Sequence, residues 1–489
     1  MVFNSLHFAL FFPFVACLYF LLPHRHRWML LLAASCYFYM AFIPAYILIL
    51  LATIAVDYLV GLRLGDPSRP ARRKALLVVS LLVNLGMLAV FKYAGFLGGN
   101  LHQAADFLGW NYSLPALEII LPVGLSFHTF QSMGYILEVY YGRQAPERNL
   151  GRFALYVMYF PQLVAGPIER PQNLLHQFRE PHDFDPALAI EGLKRMLWGL
   201  FKKVAIADQV SHAVASVNAD PASHSGLALC AATFLFAVQI YCDFSGYSDI
   251  ALGSSQILGI RLMENFRQPY FARSVGEFWR RWHISLSTWF RDYLYIPLGG
   301  NRVAPWRARL NLMIVFLASG LWHGADWKFV LWGGLHGFYL VAAQATAPWR
   351  ERAAAASGLA RFPALRAGWQ RAATFLLVAF AWIFFRADSF DKALYIAGHL
   401  GHGLTRDLAA CLAPGGAAAF LSGLGVSKFA LLAIAVVAAG DIVQVRGPAS
   451  MPWLASPPAV LRWGGYYLLG FWILLCFDPG GRQFIYFQF

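Results

Sequence analysis

The feature that most constrains this 489-residue chain is a succession of apolar runs, most of them close to the length of a bilayer span. They fall at about 4–22, 28–43, 45–62, 75–91, 119–141, 227–260, 310–345, 372–385, 428–446 and 460–477. A helical span takes about 20 residues at 1.5 Å each, so 227–260 and 310–345 could each hold two passes, and about 9 to 12 crossings are expected. Composition agrees: 59% of residues are hydrophobic and 13% charged, where a soluble domain carries about 25% charged residues. Phe, Trp and Tyr make up 16% of the chain, many beside polar residues, as suits rings at headgroup level. The chain reads as an all-α polytopic integral membrane protein. With no internal repeat, residues 1–489 read as a single membrane-embedded domain.

Residues 1–27 lack a basic leading region and place their positive charge after the apolar run, which reads as a first transmembrane helix with its N-terminus outside. The basic loops orient the rest. Arg25 and Arg27 follow the first run, and Arg63, Arg69, Arg72, Arg73 and Lys74 follow the third. Two crossings separate them, so both lie on one side, which the positive-inside rule makes the cytoplasm. The 261–309 loop, with nine arginines against two glutamates and one aspartate, and 350–371, with five arginines against one glutamate, belong to the same side. The net charge of +14 is thereby explained by membrane loops rather than by nucleic acid. Between these loops the chain must cross an even number of times, which puts Gly320-Leu321-Trp322-His323-Gly324 at the tip of a hairpin. Residues 153–168, interrupted by Phe160-Pro161 and Gly166-Pro167, read as re-entrant, since broken backbone at membrane depth must be buried in protein or line a cavity.

That hairpin places an imidazole where charge is disfavoured. His323 lies 13 residues past Leu310, about 20 Å of helix, so the ring is expected well inside the slab. A buried histidine hydrogen-bonded between helices is the bland alternative. Gly320 and Gly324 favour more than that, because they let another backbone or a substrate come close, and Trp322 and Trp327 supply apolar walls. A neutral imidazole in such a pocket suits general-base chemistry near neutral pH. A second constellation runs over 277–295. At helical spacing Trp279, Trp282, His283, Leu286, Trp289, Phe290 and Tyr293 share an apolar stripe, while Arg280, Arg281, Arg291 and Asp292 lie largely off it. This predicts one amphipathic helix at the cytoplasmic face, its arginines reaching headgroups or an anionic donor. Asp243 and Asp249 interrupt the 227–260 run, and a carboxylate at membrane depth usually marks function or a polar partner. His128 and His336 read as structural hydrogen-bonding residues. The six cysteines are scattered with no CxxC pair, so neither a disulfide framework nor a metal site is expected. No phosphate-binding glycine loop, HExxH or GxSxG elbow is present.

The longer motifs resemble the membrane-bound O-acyltransferase family, and within it the bacterial alginate O-acetylation branch. They are PQLVAGPIERP (161–171), QIYCDFSGYSDIALG (239–253), ENFRQPY (264–270), EFWRRWHISLSTWFRDYLYIPLGGNR (277–302), GLWHGADWKFVLWGGLHG (320–337) and FIYFQF (484–489). The resemblance implies a ring of tilted helices, with re-entrant and interfacial helices, around a central funnel. It matches the family's active-site histidine to His323 and its second polar position to His283. It implies an acyl thioester donor, acetyl-CoA or an acyl-carrier protein, entering from the cytoplasm with no tightly bound cofactor. The acetyl group would pass to periplasmic acetyltransferase or acceptor proteins and then to exopolysaccharide hydroxyls, at the bacterial inner membrane. In this reading His323 is the base, His283 orients or polarises a substrate, and Asp243, Trp322, Arg280 and Arg281 are candidate substrate contacts. Two alternatives stay open: a transporter or channel using Asp243 and Asp249, and D-alanyl, lipid or protein acyl transfer on the same fold.

Overall fold

The computed structural model describes residues 1–66, 70–110, 122, 124–164, 166–447, 458–478 and 484–485, and the regular structure among them is helical throughout. Six helices among these residues are long and apolar enough to cross a membrane: Pro44–Leu64, Arg73–Phe107, Gly226–Ile257, Pro363–Arg386, Lys428–Arg446 and Ala459–Cys476. Leu6–Leu21 is apolar but shorter. These are fewer than the apolar runs of the sequence, because several runs form shorter or more polar helices. The 119–141 run yields a helix only from Leu125 to Tyr140, with 119–121 and 123 outside the described residues. Conversely, 227–260 is one helix of 32 residues rather than two passes. It contains no proline to interrupt its ladder, and at about 48 Å it must tilt or run past the hydrocarbon.

Contacts divide the chain into two compact units, Met1–Met196 with Ile250–Met263, and Leu197–Asp249 with Glu264–Phe489. In the first, the helix Leu150–Met158 gives way to buried irregular chain. Its backbone polar groups find partners within the unit. Phe160 N–H donates to Ser35 Oγ at 3.0 Å, Gln162 Nε2 to the Tyr156 carbonyl at 2.7 Å, and the Tyr156 hydroxyl to the Glu169 carbonyl at 2.8 Å. Irregular backbone survives here because side chains replace the missing ladder.

The second unit contains the hairpin. Pro305–His323 and Trp327–Ala345 are two 19-residue helices joined by residues 324–326. Asp326 caps the return helix, its carboxylate accepting from Lys328 N–H at 2.9 Å, an ordinary N-cap role. The glycines serve backbone approach. A Cβ on Gly320 would stand 2.2 Å from the Phe329 carbonyl oxygen, and one on Gly333 2.2 Å from that of Phe316. Gly324 is pressed against the Phe329 ring in the same way. The clearance expected at Gly320 and Gly324 is therefore filled by the partner helix.

The predicted amphipathic helix over 277–295 is broken. Val275–Arg281 ends, Trp282 and His283 form a link, Ile284–Phe290 follows, and Arg291–Tyr295 widens into a π-helical turn. The apolar stripe is buried as its spacing predicts, from Trp279 to Tyr293. Its continuity fails at His283, which holds a left-handed φ of 44°, a conformation that L side chains avoid unless tertiary contacts impose it.

Replacing Gly320 or Gly333 with Ala is expected to cost about 1–3 kcal/mol through overpacking, read as a lower midpoint of thermal unfolding in detergent. Gly334→Ala is the control: its Cβ would meet only Leu317 Cδ2, at 3.6 Å, and the midpoint should hold.

Candidate active site

His323 is the last residue of the hairpin's first helix and is 4% exposed. Pro305–His323 is unbroken, so the ring lies about 27 Å along the axis from the helix's arginine-bearing start. Three aromatic rings enclose it edge-on: Trp322 and Trp332 at 4.9 Å between centroids, and Phe385 of Pro363–Arg386 at 5.2 Å. Trp332 stacks in turn on Trp382 at 5.8 Å. The tight hairpin brings Trp332 to the histidine, and Pro363–Arg386 closes the other side.

His283 is fully buried and belongs to the same aromatic cluster. Its ring meets Phe244 edge-on at 4.7 Å and Trp322 at 6.1 Å, so the Trp322 indole touches both histidines. Burial holds its imidazole well below the ordinary value, at about 3. Asn265 grips this link from another segment. Its backbone carbonyl accepts from Ile284 N–H at 3.0 Å. Its side-chain Oδ1 receives Ser285 N–H at 3.2 Å, Ser285 Oγ at 2.9 Å and His283 Nδ1 at 3.2 Å. The ENFRQPY motif contains Asn265, but no local pattern marks it, since its partners lie some 20 residues on.

A cavity of about 360 Å³ opens beside this cluster. Trp279, Phe290, Phe316 and Leu340 form apolar walls, and Arg280, Arg291, Ser287, Ser319 and Gln344 supply polar atoms. Ser319 precedes His323 by one helical turn on the same face, so the cavity reaches to within a turn of the imidazole. Arg280 and Arg291 both border the cavity. Arg281 does not; it pairs with Glu277 at 2.6 Å. The sequence places Arg291 among the arginines that reach headgroups or an anionic donor, and it does not single out Ser319. Both were in plain view on the helical wheel.

The remaining candidates, apart from His128, are held in hydrogen bonds and ion pairs. Trp279 Nε1–H donates to His336 Nδ1 at 3.2 Å, tying the stripe to the return helix. His128, in the first unit, is buried, and the hydrogen bond expected of it is not found among the described residues. Asp249 is paired with Lys202 at 2.5 Å, and Lys203 lies between Asp243 at 2.8 Å and Asp208 at 2.9 Å. Lys202 and Lys203 lie on a π-helical turn, Phe201–Ala207, and sequence reading passed over them. Asp243 also accepts from Ile485 N–H at 2.9 Å, and Phe484 packs on Tyr247 at 4.7 Å. The rest of the FIYFQF motif, 486–489, lies outside the described residues. Among the described residues no group of three or more His, Cys, Asp or Glu could hold a metal ion.

An apolar hairpin bearing a buried histidine, a second buried histidine on a broken helix, and a cavity beside them make this cluster the candidate site. The chain belongs to the membrane-bound O-acyltransferase family, whose model matches residues 147–385, a stretch holding both histidines and the whole hairpin. It is an O-acyltransferase and a membrane protein. It is 41% identical over 396 residues to the probable alginate O-acetylase AlgI of Azotobacter vinelandii, covering 80% of this chain and 76% of that one. Likeness extends to the peptidoglycan O-acetyltransferase of Helicobacter pylori, at 34% identity over 75% of this chain and 72% of that one. The teichoic acid D-alanyltransferase of Streptococcus thermophilus is 31% identical over 45% of this chain and 56% of that one.

Lys203→Met leaves two buried carboxylates facing each other. It is expected to destabilise the protein by about 3–5 kcal/mol, seen as loss of the monodisperse peak in detergent. Asp243→Asn should be milder, because Lys203 keeps Asp208.

Proposed function

We propose that this protein transfers an acetyl group from a cytoplasmic thioester donor, acetyl-CoA or an acyl-carrier protein, for O-acetylation of an exopolysaccharide of the alginate type. The observation that carries this reading is the cavity whose wall includes Arg280 and Arg291 and, at Ser319, comes within one turn of His323. Its size suits a small-molecule arm, its walls suit a pantetheine-like chain, and its arginines suit phosphate. No tightly bound cofactor is invoked. The acetyl group leaves by way of periplasmic acetyltransferase or acceptor proteins, from a protein in the bacterial inner membrane. Identity to the alginate O-acetylases over most of the chain favours that acceptor over teichoic acid.

In this reading His323 acts as general base. An acceptor hydroxyl gives its proton to the imidazole as its oxygen attacks the thioester carbonyl. The tetrahedral intermediate collapses with cleavage of the carbon–sulfur bond, and the thiolate takes the proton back from His323. The ester and free thiol leave, and the histidine is neutral again. Trp322, Trp332 and Phe385 keep water from the thioester, which would otherwise be lost to hydrolysis. The pairing of Asp243 and Asp249 with Lys203 and Lys202 gives these carboxylates a structural role, which favours an enzyme over a proton-coupled carrier.

The test uses purified protein in lipid vesicles with a labelled acetyl thioester. Wild type should transfer label to a hydroxyl acceptor, and His323→Ala should lose about 10²–10⁴-fold in rate. Undiminished transfer by His323→Ala overturns the assignment. Flux that depends on a gradient without thioester cleavage establishes a carrier instead. Replacing Arg280 and Arg291 together with Ala should raise the donor KM about tenfold or more, the loss of one charge-assisted hydrogen bond or two, with kcat little changed.

A further inference from the structure

The donors around Asn265 Oδ1 determine a proton position on His283. Ser285 N–H is a backbone amide and can only donate, so the Asn265 atom 3.2 Å away must be the amide oxygen rather than the nitrogen. Ser285 Oγ, 2.9 Å from that oxygen, must then spend its single hydrogen on it. His283 Nδ1 lies 3.2 Å from the same oxygen and 3.4 Å from Ser285 Oγ. Both neighbours present lone pairs to it. An unprotonated Nδ1 would set three lone pairs against one another in a buried site, so Nδ1 carries the hydrogen. On a neutral imidazole the lone pair then belongs to Nε2.

We propose that Asn265 is a positioning residue for acyl transfer, which locks His283 as the Nδ1–H tautomer so that Nε2 meets the substrate as a hydrogen-bond acceptor. This rests on the acyltransferase reading of the site and deepens it. It also changes the part His283 can play: an acceptor nitrogen orients a hydroxyl through its hydrogen and cannot polarise a carbonyl by donating to it. Asn265 further secures the ring's direction. By receiving Ile284 N–H and Ser285 N–H it takes over the capping of Ile284–Phe290, which the His283 side chain does not supply. It thereby holds the left-handed residue in place.

The rings facing His283 are Phe244 and Trp322. On the helix that carries Phe244 the titratable groups are Cys230, Tyr241, Cys242, Asp243, which is ion-paired with Lys203, Tyr247 and Asp249, which is paired with Lys202; on the helix that carries Trp322 they are Arg307, Arg309 and His323. A carboxylate in place of the Asn265 amide would add a negative charge directly against Nδ1–H, and would raise the imidazole pKa from about 3 by about one to three units. The group is useful when deprotonated, so raising its pKa removes activity at the acidic end.

Two measurements on the full chain in lipid vesicles test this. In the first, initial rates of acetyl transfer are followed from about pH 3.5 upward, at about half-unit steps, the range being set by the expected shift. Wild type should show the acidic limb of the base His323 alone, and Asn265→Asp should fall more steeply toward the acidic end, a second protonation being added, while keeping its donor KM. Asn265→Ala should lower kcat about tenfold or more at unchanged KM, as expected when an orienting interaction made in the transition state is lost. In the second, nitrogen-15 histidine spectra of wild type, assigned with His283→Gln, should show His283 protonated at Nδ1 and not at Nε2. An Nε2–H tautomer overturns the proposal whatever the variants do. So does an Asn265→Asp profile that superimposes on wild type after scaling, which would reduce Asn265 to a helix cap. Wild-type protein that transfers no acetyl group from a thioester overturns the proposed function instead, and the tautomer spectrum still decides whether Asn265 sets the ring.

Discussion

The site depends on two helices being able to touch backbone to backbone. Gly320 faces the Phe329 carbonyl and Gly333 faces that of Phe316, each at a separation no side chain could share. In a membrane there is little hydrophobic gain in pairing two apolar helices, so close packing through small residues carries the association. That contact fixes where the hairpin turns, and the turn fixes His323. Trp332 reaches the imidazole because the return helix lies so close, and a wider hairpin would admit water where Trp322, Trp332 and Phe385 now meet.

Around this contact several buried polar groups of the second unit are paired. Lys202 and Lys203 neutralise Asp249, Asp243 and Asp208, Trp279 gives its indole hydrogen to His336, and Asn265 collects three donors on one oxygen. Each pairing removes a desolvation penalty that a low-dielectric interior would otherwise exact. Both site histidines are in addition ringed by aromatic edges. Burial holds the His283 imidazole neutral, while the ion pairs nearby fix the helices that carry the cluster.

Much of this was legible beforehand. Apolar run lengths and the arginine-rich loops on either side of 310–345 were enough to predict the hairpin and the place of His323 at its tip. The spacing of Trp279, Trp282, Leu286, Trp289 and Tyr293 was enough to predict a buried stripe. Asp326 also obeys a readable rule, an N-cap ahead of an apolar helix. The break at His283 was not legible, because a continuous stripe reads the same whether or not its backbone is interrupted.

The sequence by itself therefore determined that this chain spans a membrane as helices, that a histidine is carried to the end of a glycine-bearing hairpin, and which aromatic residues are buried. These follow from run length, charge asymmetry and helical period, which act within a segment. Only the tertiary structure decided which helix fills the clearance beside Gly320, which lysines meet Asp243 and Asp249, and which nitrogen of His283 bears its hydrogen. Those outcomes depend on groups 9 to 47 residues apart, from Gly320 and Phe329 to Lys202 and Asp249. Hydrogen bonds and ion pairs act over a few ångströms of space and are blind to separation along the chain.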